Sequence, residues 1–209
     1  MTGNQGYDEG KNKIAIFDMD GTLYNMHKLW LAQAWGMILY YIVHPTRIKE
    51  LYGMYYYYRL AEDSRYSNMT EAQRYKSASK KSGCGQRCLR RAVTRWMYDQ
   101  AGRLAGKFAY QNVLTYMSLL KSHGYKIVIY SDFNADNKIK ALSLKPDYVF
   151  YPSNKTFTYM KPSSEAMQYI MKETQADPTR SIYVGDRPDK DEASAKLAGI
   201  RYVDVKSIR

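Results

Sequence analysis

Five short apolar runs, most of them halted by an acidic, hydroxyl or glycine residue, limit what this chain can fold into more than any other feature. Lys13-Ile14-Ala15-Ile16-Phe17 stops at Asp18, and Lys126-Ile127-Val128-Ile129-Tyr130 stops at Ser131-Asp132. Tyr148-Val149-Phe150-Tyr151 follows, Ser181-Ile182-Tyr183-Val184 stops at Gly185-Asp186, and Arg201-Tyr202-Val203 is the weakest of the set. Runs that are apolar at successive positions, not alternate ones, are the pattern of strands buried on both faces of a parallel sheet. Helix-like segments separate them at 111–122, 134–144, 163–174 and 190–197. The first of these ends at His123-Gly124, which suits a helix C-terminus. Strand and helix thus alternate from residue 107 onward. That order predicts an α/β fold, a Rossmann-like and mostly parallel sheet flanked by helices, with right-handed crossovers.

One long interruption breaks the alternation. Residues 25–106 show no convincing strand and read as helices at roughly 30–43, 47–62, 70–81 and 86–101. The expected organisation is an α/β core domain from 1–24 and 107–209, with 25–106 inserted as an all-helical cap domain. The charge is unevenly shared. Between His27 and Gly106 stand fourteen Lys/Arg against five acids, a surplus of nine out of a net +12 for the whole chain. A basic surface concentrates anions, whether nucleic acid, anionic lipid or a phosphorylated metabolite.

Composition excludes some classes. Cys84 and Cys88 are the only cysteines of the 209 residues. Two thiols without a neighbouring histidine make no four-ligand zinc site, and so few cysteines make no disulfide framework. Met1 to Asn12 contain no apolar signal region. The longest apolar stretch, Leu29 to Val43, is interrupted by Gln33 and Gly36 and falls short of the ~20 residues a spanning helix needs. The expectation is a soluble, cytoplasmic protein.

Ligands of an open parallel sheet bind beyond the carboxyl ends of its strands. The residues predicted there are Asp18, Asp20, Gly21 and Thr22 after the first strand, and Ser131 and Asp132 after the second. Gly185, Asp186, Asp189 and Asp191 follow the fourth, and Lys161 precedes a helix start at Pro162-Ser163. Clustered carboxylates raise one another's pKa and normally need a cation, and all-oxygen ligands favour Mg²⁺. Such an ion would let an anionic nucleophile approach an anionic phosphate, with Lys161 adding positive charge and Ser131 a hydrogen bond. Asp18 is the candidate nucleophile. Asp20, two residues on, is placed to protonate a leaving alkoxide and later deprotonate a water. A calcium loop is the competing reading of Asp18-Met19-Asp20-Gly21. Its spacing fails, because Leu23 and Leu29 stand where such a loop places Gly and Glu.

These segments together resemble the motifs of haloacid dehalogenase (HAD) superfamily hydrolases. Ile14 to Tyr24 looks like the first motif, Ile129-Tyr130-Ser131-Asp132 the second, Met160-Lys161-Pro162-Ser163 the third, and Tyr183 to Asp191 the fourth. The resemblance spans residues 13–24 and about 107–205. It implies Asp18 as nucleophile and metal ligand, and Asp20 as general acid/base with its backbone carbonyl on Mg²⁺. Asp186 would complete the ligation, with Asp191 or Asp189 supporting the metal shell. Ser131 and Lys161, with Gly21 and Thr22, would hold the phosphoryl group. It also implies a helical cap after the first motif, where 25–106 lies. Relatives that cleave carbon–halogen bonds lack the acid at the position of Asp20, so its presence favours phosphoryl transfer. Asp132 is a departure from the family's pattern and is read as a cap for the following helix.

The expected activity is therefore a Mg²⁺-dependent phosphatase, a phosphomonoesterase acting on a small, anionic, phosphorylated substrate. Two alternatives are a phosphomutase of the same fold and a non-catalytic protein binding nucleic acid or a membrane through its basic insertion. Tyr55-Tyr56-Tyr57-Tyr58-Arg59 and the arginines at 87, 90, 91 and 95 could serve such binding, the last three being at helical spacing that would give one basic face. Core packing and a solvated helix surface are the favoured reading of these residues, and of Trp30, Trp35 and Trp96.

Overall fold

The computed structural model describes residues 11–152 and 157–209. Its sheet has five strands, β1 Ile14–Phe17, β2 Lys126–Tyr130, β3 Tyr148–Phe150, β4 Ile182–Gly185 and β5 Arg201–Asp204, in the order β3-β2-β1-β4-β5. All four pairings are parallel, with Phe17 level with Ile129 on one side and Val184 on the other. The apolar runs divide by alternation, because successive side chains leave a strand on opposite faces. Ala15, Phe17, Ile127, Ile129, Ile182 and Val184 face one core, which Val113, Met117 and Leu120 of α6 (Gln111–Ser122) complete. Ile14, Ile16, Val128, Tyr130 and Tyr183 face the other, against Ala166, Met167 and Ile170 of α8 (Ser164–Thr174) and Ala195 of α9 (Ala193–Leu197). Both faces of β1, β2 and β4 are covered, which is why those runs are apolar at successive positions, while β3 and β5 at the sheet edges are only partly buried.

The expected helices between β1 and β2 are present, with adjusted limits: α1 Met26–Val43, α2 Lys49–Glu62, α3 Glu71–Ser82, α4 Gln86–Val93 and α5 Ala101–Ala105. Asn25 caps α1 through Lys28 N, and Thr70 with Gln73 forms a capping box on α3. The segment expected as one helix over 86–101 widens into a π-helical stretch at Thr94–Gln100 before α5 resumes. These helices form a lobe with a cluster of its own, including Tyr57, Tyr75, Leu89 and Trp96. Phe133 and Met160 of the α/β part reach into that cluster. Of the tyrosine run, Tyr57 is core and Tyr55 is exposed. Arg90 and Arg95 do not share a face, since Arg90 lies on the Tyr75 ring and Arg95 on the Tyr40 ring. The lobe meets the sheet where α5 crosses α7 (Asp136–Ala141). A Cβ at Gly102 would stand 2.5 Å from Asn137 Cβ, and one at Gly106 2.5 Å from the Ala141 carbonyl oxygen. Two glycines one helical turn apart allow this close approach.

Cys84 and Cys88 are both free thiols. No helix among the described residues is long and apolar enough to cross a membrane.

Candidate active site

The first strand carries Asp18 to the sheet edge, where its N–H donates to the Val184 carbonyl at 3.0 Å. Its carboxylate is buried. Lys161 Nζ donates both to Asp18 Oδ1 and, at 2.8 Å, to Asp191 Oδ1. Carboxylate oxygens of Asp18, Asp186 and Asp191 lie within 4.8 Å of one another. The other Asp18 oxygen, Oδ2, is buried with no hydrogen-bond partner. An all-oxygen set with one orphaned carboxylate oxygen fits a hard divalent cation such as Mg²⁺.

Electrostatics agree with the need for a cation. Burial raises the Asp18 carboxyl from 3.8 to about 8; Lys161 opposes the rise, and Asp191 and Asp186 add to it. Burial, then Asp191, raises Asp186 as well. For Lys161 burial alone would lower the pKa, but Asp18 and Asp191 outweigh it and hold the ammonium well above its usual range. Without a cation, Asp18 and Asp186 therefore hold their protons more tightly than free carboxyls do, and a bound cation would favour their ionised forms.

The three acids after β4 have different stations. Asp186 accepts from the Thr22 hydroxyl at 3.3 Å. Asp191 is fixed from both sides, one oxygen taking Lys161 and the Tyr183 hydroxyl, the other the backbone N–H groups of Asp186 at 3.2 Å and Arg187 at 3.1 Å. Gly185 makes room for it, since a Cβ there would stand 2.4 Å from Asp191. Asp189 lies outside the cluster: its side chain is 62% exposed and pairs with Arg187 at 2.6 Å. Gly21 and Thr22 also differ from expectation. Gly21, at φ +93°, packs against Asp186 with room for no Cβ, and Thr22 is fully buried; neither lines the cavity. They position Asp186 from behind.

Asp20 lies at the side of the cavity. Tyr24 and Lys138 both donate to its Oδ1, Lys138 at 2.6 Å. Burial, and next Asp20 itself, raises Tyr24 well above the usual phenol range, so it stays a donor. Ser131 lines the cavity while its Oγ accepts the Phe133 N–H at 3.2 Å. The reading of Asp132 as a helix cap is overturned. Its two oxygens take the Lys161 N–H and Lys190 Nζ, each at 2.7 Å, and no side chain caps α7 at Ala135. Asp132 instead ties the backbone of the Lys161 loop to Lys190.

Lys138, Tyr24 and Lys190 were not anticipated from the sequence. Two of them are lysines within helical segments, normally a sign of solvated surface, yet Lys138 and Lys190 are 4% and 3% exposed. Lys190 also donates to the Ala61 carbonyl at 2.7 Å, and Arg187 pairs with Glu62, so the end of α2 is held over the site. The cavity is about 100 Å³ and partly open to solvent, and Trp30, Gln33 and Tyr58 of the lobe also line it. Typical ligand pockets hold ~300–1,000 Å³.

A family model for haloacid dehalogenase-like hydrolases matches residues 15–205. Similar solved structures include a 2-haloacid dehalogenase from Pseudomonas syringae pv. Tomato DC3000 (TM-score 0.63, 16% identity, covering 91% of this chain and 85% of that one). A protein described as a HAD-hydrolase from Bacillus subtilis, bound to magnesium, has TM-score 0.61 at 16% identity over 92% and 87% of the two chains. A HAD phosphatase from Thermococcus onnurineus has TM-score 0.53 at 18% identity over 91% and 84%. Likeness at these identities is one of fold. A comparison with curated protein sequences finds no match.

Proposed function

Since the chain belongs to the haloacid dehalogenase-like hydrolases, we propose that it is a Mg²⁺-dependent phosphomonoesterase working through an aspartyl-phosphate on Asp18. The observation that carries the reading is the convergence of Asp18, Asp186 and Asp191 around Lys161, with Asp20 on the wall of the same cavity. Asp18 and Asp186 would hold the ion, together with the backbone carbonyl of Asp20, while Asp191 steadies both Lys161 and the loop that carries Asp186. Bound there, Mg²⁺ supplies positive charge against which an anionic carboxylate and phosphate can meet.

The chain's own groups do the rest. An Asp18 oxygen attacks phosphorus, the ester P–O bond breaks, and Asp20 gives its proton to the leaving oxygen. A water then loses a proton to Asp20 and attacks the same phosphorus. The bond to Asp18 breaks, and inorganic phosphate and the starting carboxylate are released. Ser131 and Lys161 would bind the non-bridging oxygens throughout. Lys138 and Tyr24 orient Asp20 toward the cavity. The helical lobe would act as the cap that excludes bulk water.

Turnover of p-nitrophenyl phosphate tests the reading, measured with Mg²⁺, with EDTA and in Asp18→Asn. Metal-dependent release that falls by on the order of 10⁴-fold or more in the variant is expected, as for loss of a covalent nucleophile elsewhere. Equal rates in wild type and variant would remove Asp18 from the mechanism.

The hold of Lys190 and Arg187 on the end of α2 beside the cavity also suits a phosphomutase, in which the phospho-enzyme must be kept from water. Isomerised sugar phosphate appearing in place of free phosphate would select that second reading.

A further inference from the structure

Helix α1 has two apolar sides. Leu29 and Gln33 point inward to the cavity, and Tyr41 into the lobe. The opposite side carries Leu31, Trp35, Ile38, Leu39, Ile42 and Val43, each between 49% and 72% exposed. Their spacing, i, i+4, i+7, i+8, i+11 and i+12, puts them on one stripe. Core packing, the sequence-based expectation for Trp35, does not hold. Helix α2 runs antiparallel beside α1, as the Trp30–Tyr58 ring contact at one end and the Tyr41–Glu50 hydrogen bond at the other fix. Ile48, before α2, and Tyr52 and Tyr55 on it are also exposed. An exposed apolar stripe of this length on a helix marks a contact surface.

Charge says what kind of contact. Residues 26–49 contain no Asp or Glu, and Glu50 is buried. Exposed Lys28 stands at the start of α1 and exposed Arg59 toward the end of α2. Near the C-terminal end of α1 the guanidiniums of Arg47 and Arg95 both donate to the Tyr40 hydroxyl, Arg47 at 2.6 Å. Two like charges on one phenol oxygen form a ready place for an anion. A second copy of the chain would bring another lobe with a surplus of nine positive charges against this face, which opposes self-association. At 18 residues α1 is about 27 Å long and fails as a spanning helix, yet it has the apolar stripe, interfacial Trp and Tyr, and flanking cations of a helix that lies in a bilayer surface.

We propose that the outer face of α1 and α2 docks on an anionic lipid bilayer, with the apolar stripe among the acyl chains and Arg47, Arg95 and Lys28 at the lipid phosphates. The reaction chemistry at Asp18 is not needed for this inference, so the two can fail separately. Docking through the outer side of α1 would leave its inner side over the cavity, bringing the site to phosphorylated compounds at the membrane.

The test is co-sedimentation of the full chain with vesicles of phosphatidylcholine alone, or of phosphatidylcholine and phosphatidylglycerol at three to one. The expected result is binding to the anionic vesicles that is about tenfold or more stronger than to the neutral ones and weakened by high salt. The Trp35→Glu/Leu39→Glu double variant should lose it, and the Arg47→Ala/Arg95→Ala variant should lose most of it. Trp35, Leu39 and Arg47 lie at the surface of the lobe and Arg95 is half-buried on the Tyr40 ring, so both variants are required to keep the wild-type circular dichroism and melting temperature. A single variant, Leu39→Ser, serves if either does not. Failure to pellet with either vesicle overturns the proposal. So does vesicle binding that survives the double variant. A dimer in sedimentation velocity that the double variant dissolves would assign the face to self-association instead, and duplex nucleic acid bound through the arginines alone would assign it to that ligand; either overturns it.

Discussion

The carboxyl ends of β1 and β4 and the outer face of α1 lie on opposite sides of one helix, and they treat polar and apolar groups in opposite ways. At the sheet end, four charged side chains, Asp132, Lys161, Lys190 and Asp191, are each more than nine-tenths buried. Each is locked by specific partners, several of them backbone groups. On α1 the large apolar groups face outward and the neighbouring cations have few acids to meet. A buried charge is costly unless it is fully paired, so the first region has one arrangement and little tolerance. The second region makes no such demand on the fold. Its residues are explained by what they would touch, not by what they hold together.

A matched pair of glycine substitutions sharpens that contrast and should give its largest effect. Gly185→Ala drives a Cβ to 2.4 Å from three atoms of Asp191, which cannot move without releasing Lys161 and the Asp186 and Arg187 amides. Overpacking of this kind costs about 1–3 kcal/mol, or roughly 2–12 °C in melting temperature at this chain length. Gly85→Ala, in the lobe, meets nothing within 4 Å and should change melting by no more than about 2 °C. Equal losses in the two variants, read by circular dichroism, would erase the distinction between the regions.

Next in size is the response to pH and metal. The folded-state pKa of Asp18 is raised by burial from 3.8 to about 8. Its contribution to stability is therefore full below about pH 4 and is lost as pH rises through 8. In EDTA the protein should lose stability progressively across that window. A cation bound by the ionised carboxylates should offset the loss, so the gain in melting temperature from Mg²⁺ should be larger at pH 8 than at pH 6. An equal gain at both values would mean that Asp18 does not control the metal's binding.

Much of the sheet end was legible because a strand's last residue fixes where its next side chains go. Asp18, Ser131 and Asp186 each stand immediately past a strand, and Lys161 just before a helix, so register alone brings them together. Lys138 and Lys190 were not legible, since a lysine on a short helix looks like surface until its neighbours are known. Asp132 was misassigned for the same reason: its partners, Lys161 N and Lys190 Nζ, are 29 and 58 residues away. The outer stripe of α1 did leave a signal in the sequence. A helix apolar on all sides should be buried, and Met26–Val43 was too short to span a bilayer and too apolar to be ordinary surface.

A smaller effect is expected from Lys138→Met, which removes the 2.6 Å donor from Asp20 while keeping the bulk of the side chain. Loss of such an orienting partner lowers activity by about 10- to 100-fold in comparable sites. Here the loss should fall on kcat, with KM nearly unchanged, because Asp20 handles a proton and does not hold the phosphoryl group. A change confined to KM would instead make Lys138 a substrate-binding residue.

The smallest effect belongs to the seam where the two regions meet. Glu62, on the lobe, pairs with Arg187, whose side chain is 34% exposed, and lies 3.5 Å from Lys190. A half-exposed pair contributes about 0–1 kcal/mol. Lys190 keeps the Ala61 carbonyl and Asp132 when Glu62 is neutralised, so Glu62→Gln loosens the closed lobe without dismantling the site. The expected result is a KM raised by up to about fivefold at low salt, with kcat unchanged. Raising the ionic strength should bring the wild type toward the variant, because the same ions that screen the pair do the work of the substitution. A kcat lowered tenfold would mean that the seam is part of the rigid sheet end, and the boundary between the two regions would have to move outward onto α2.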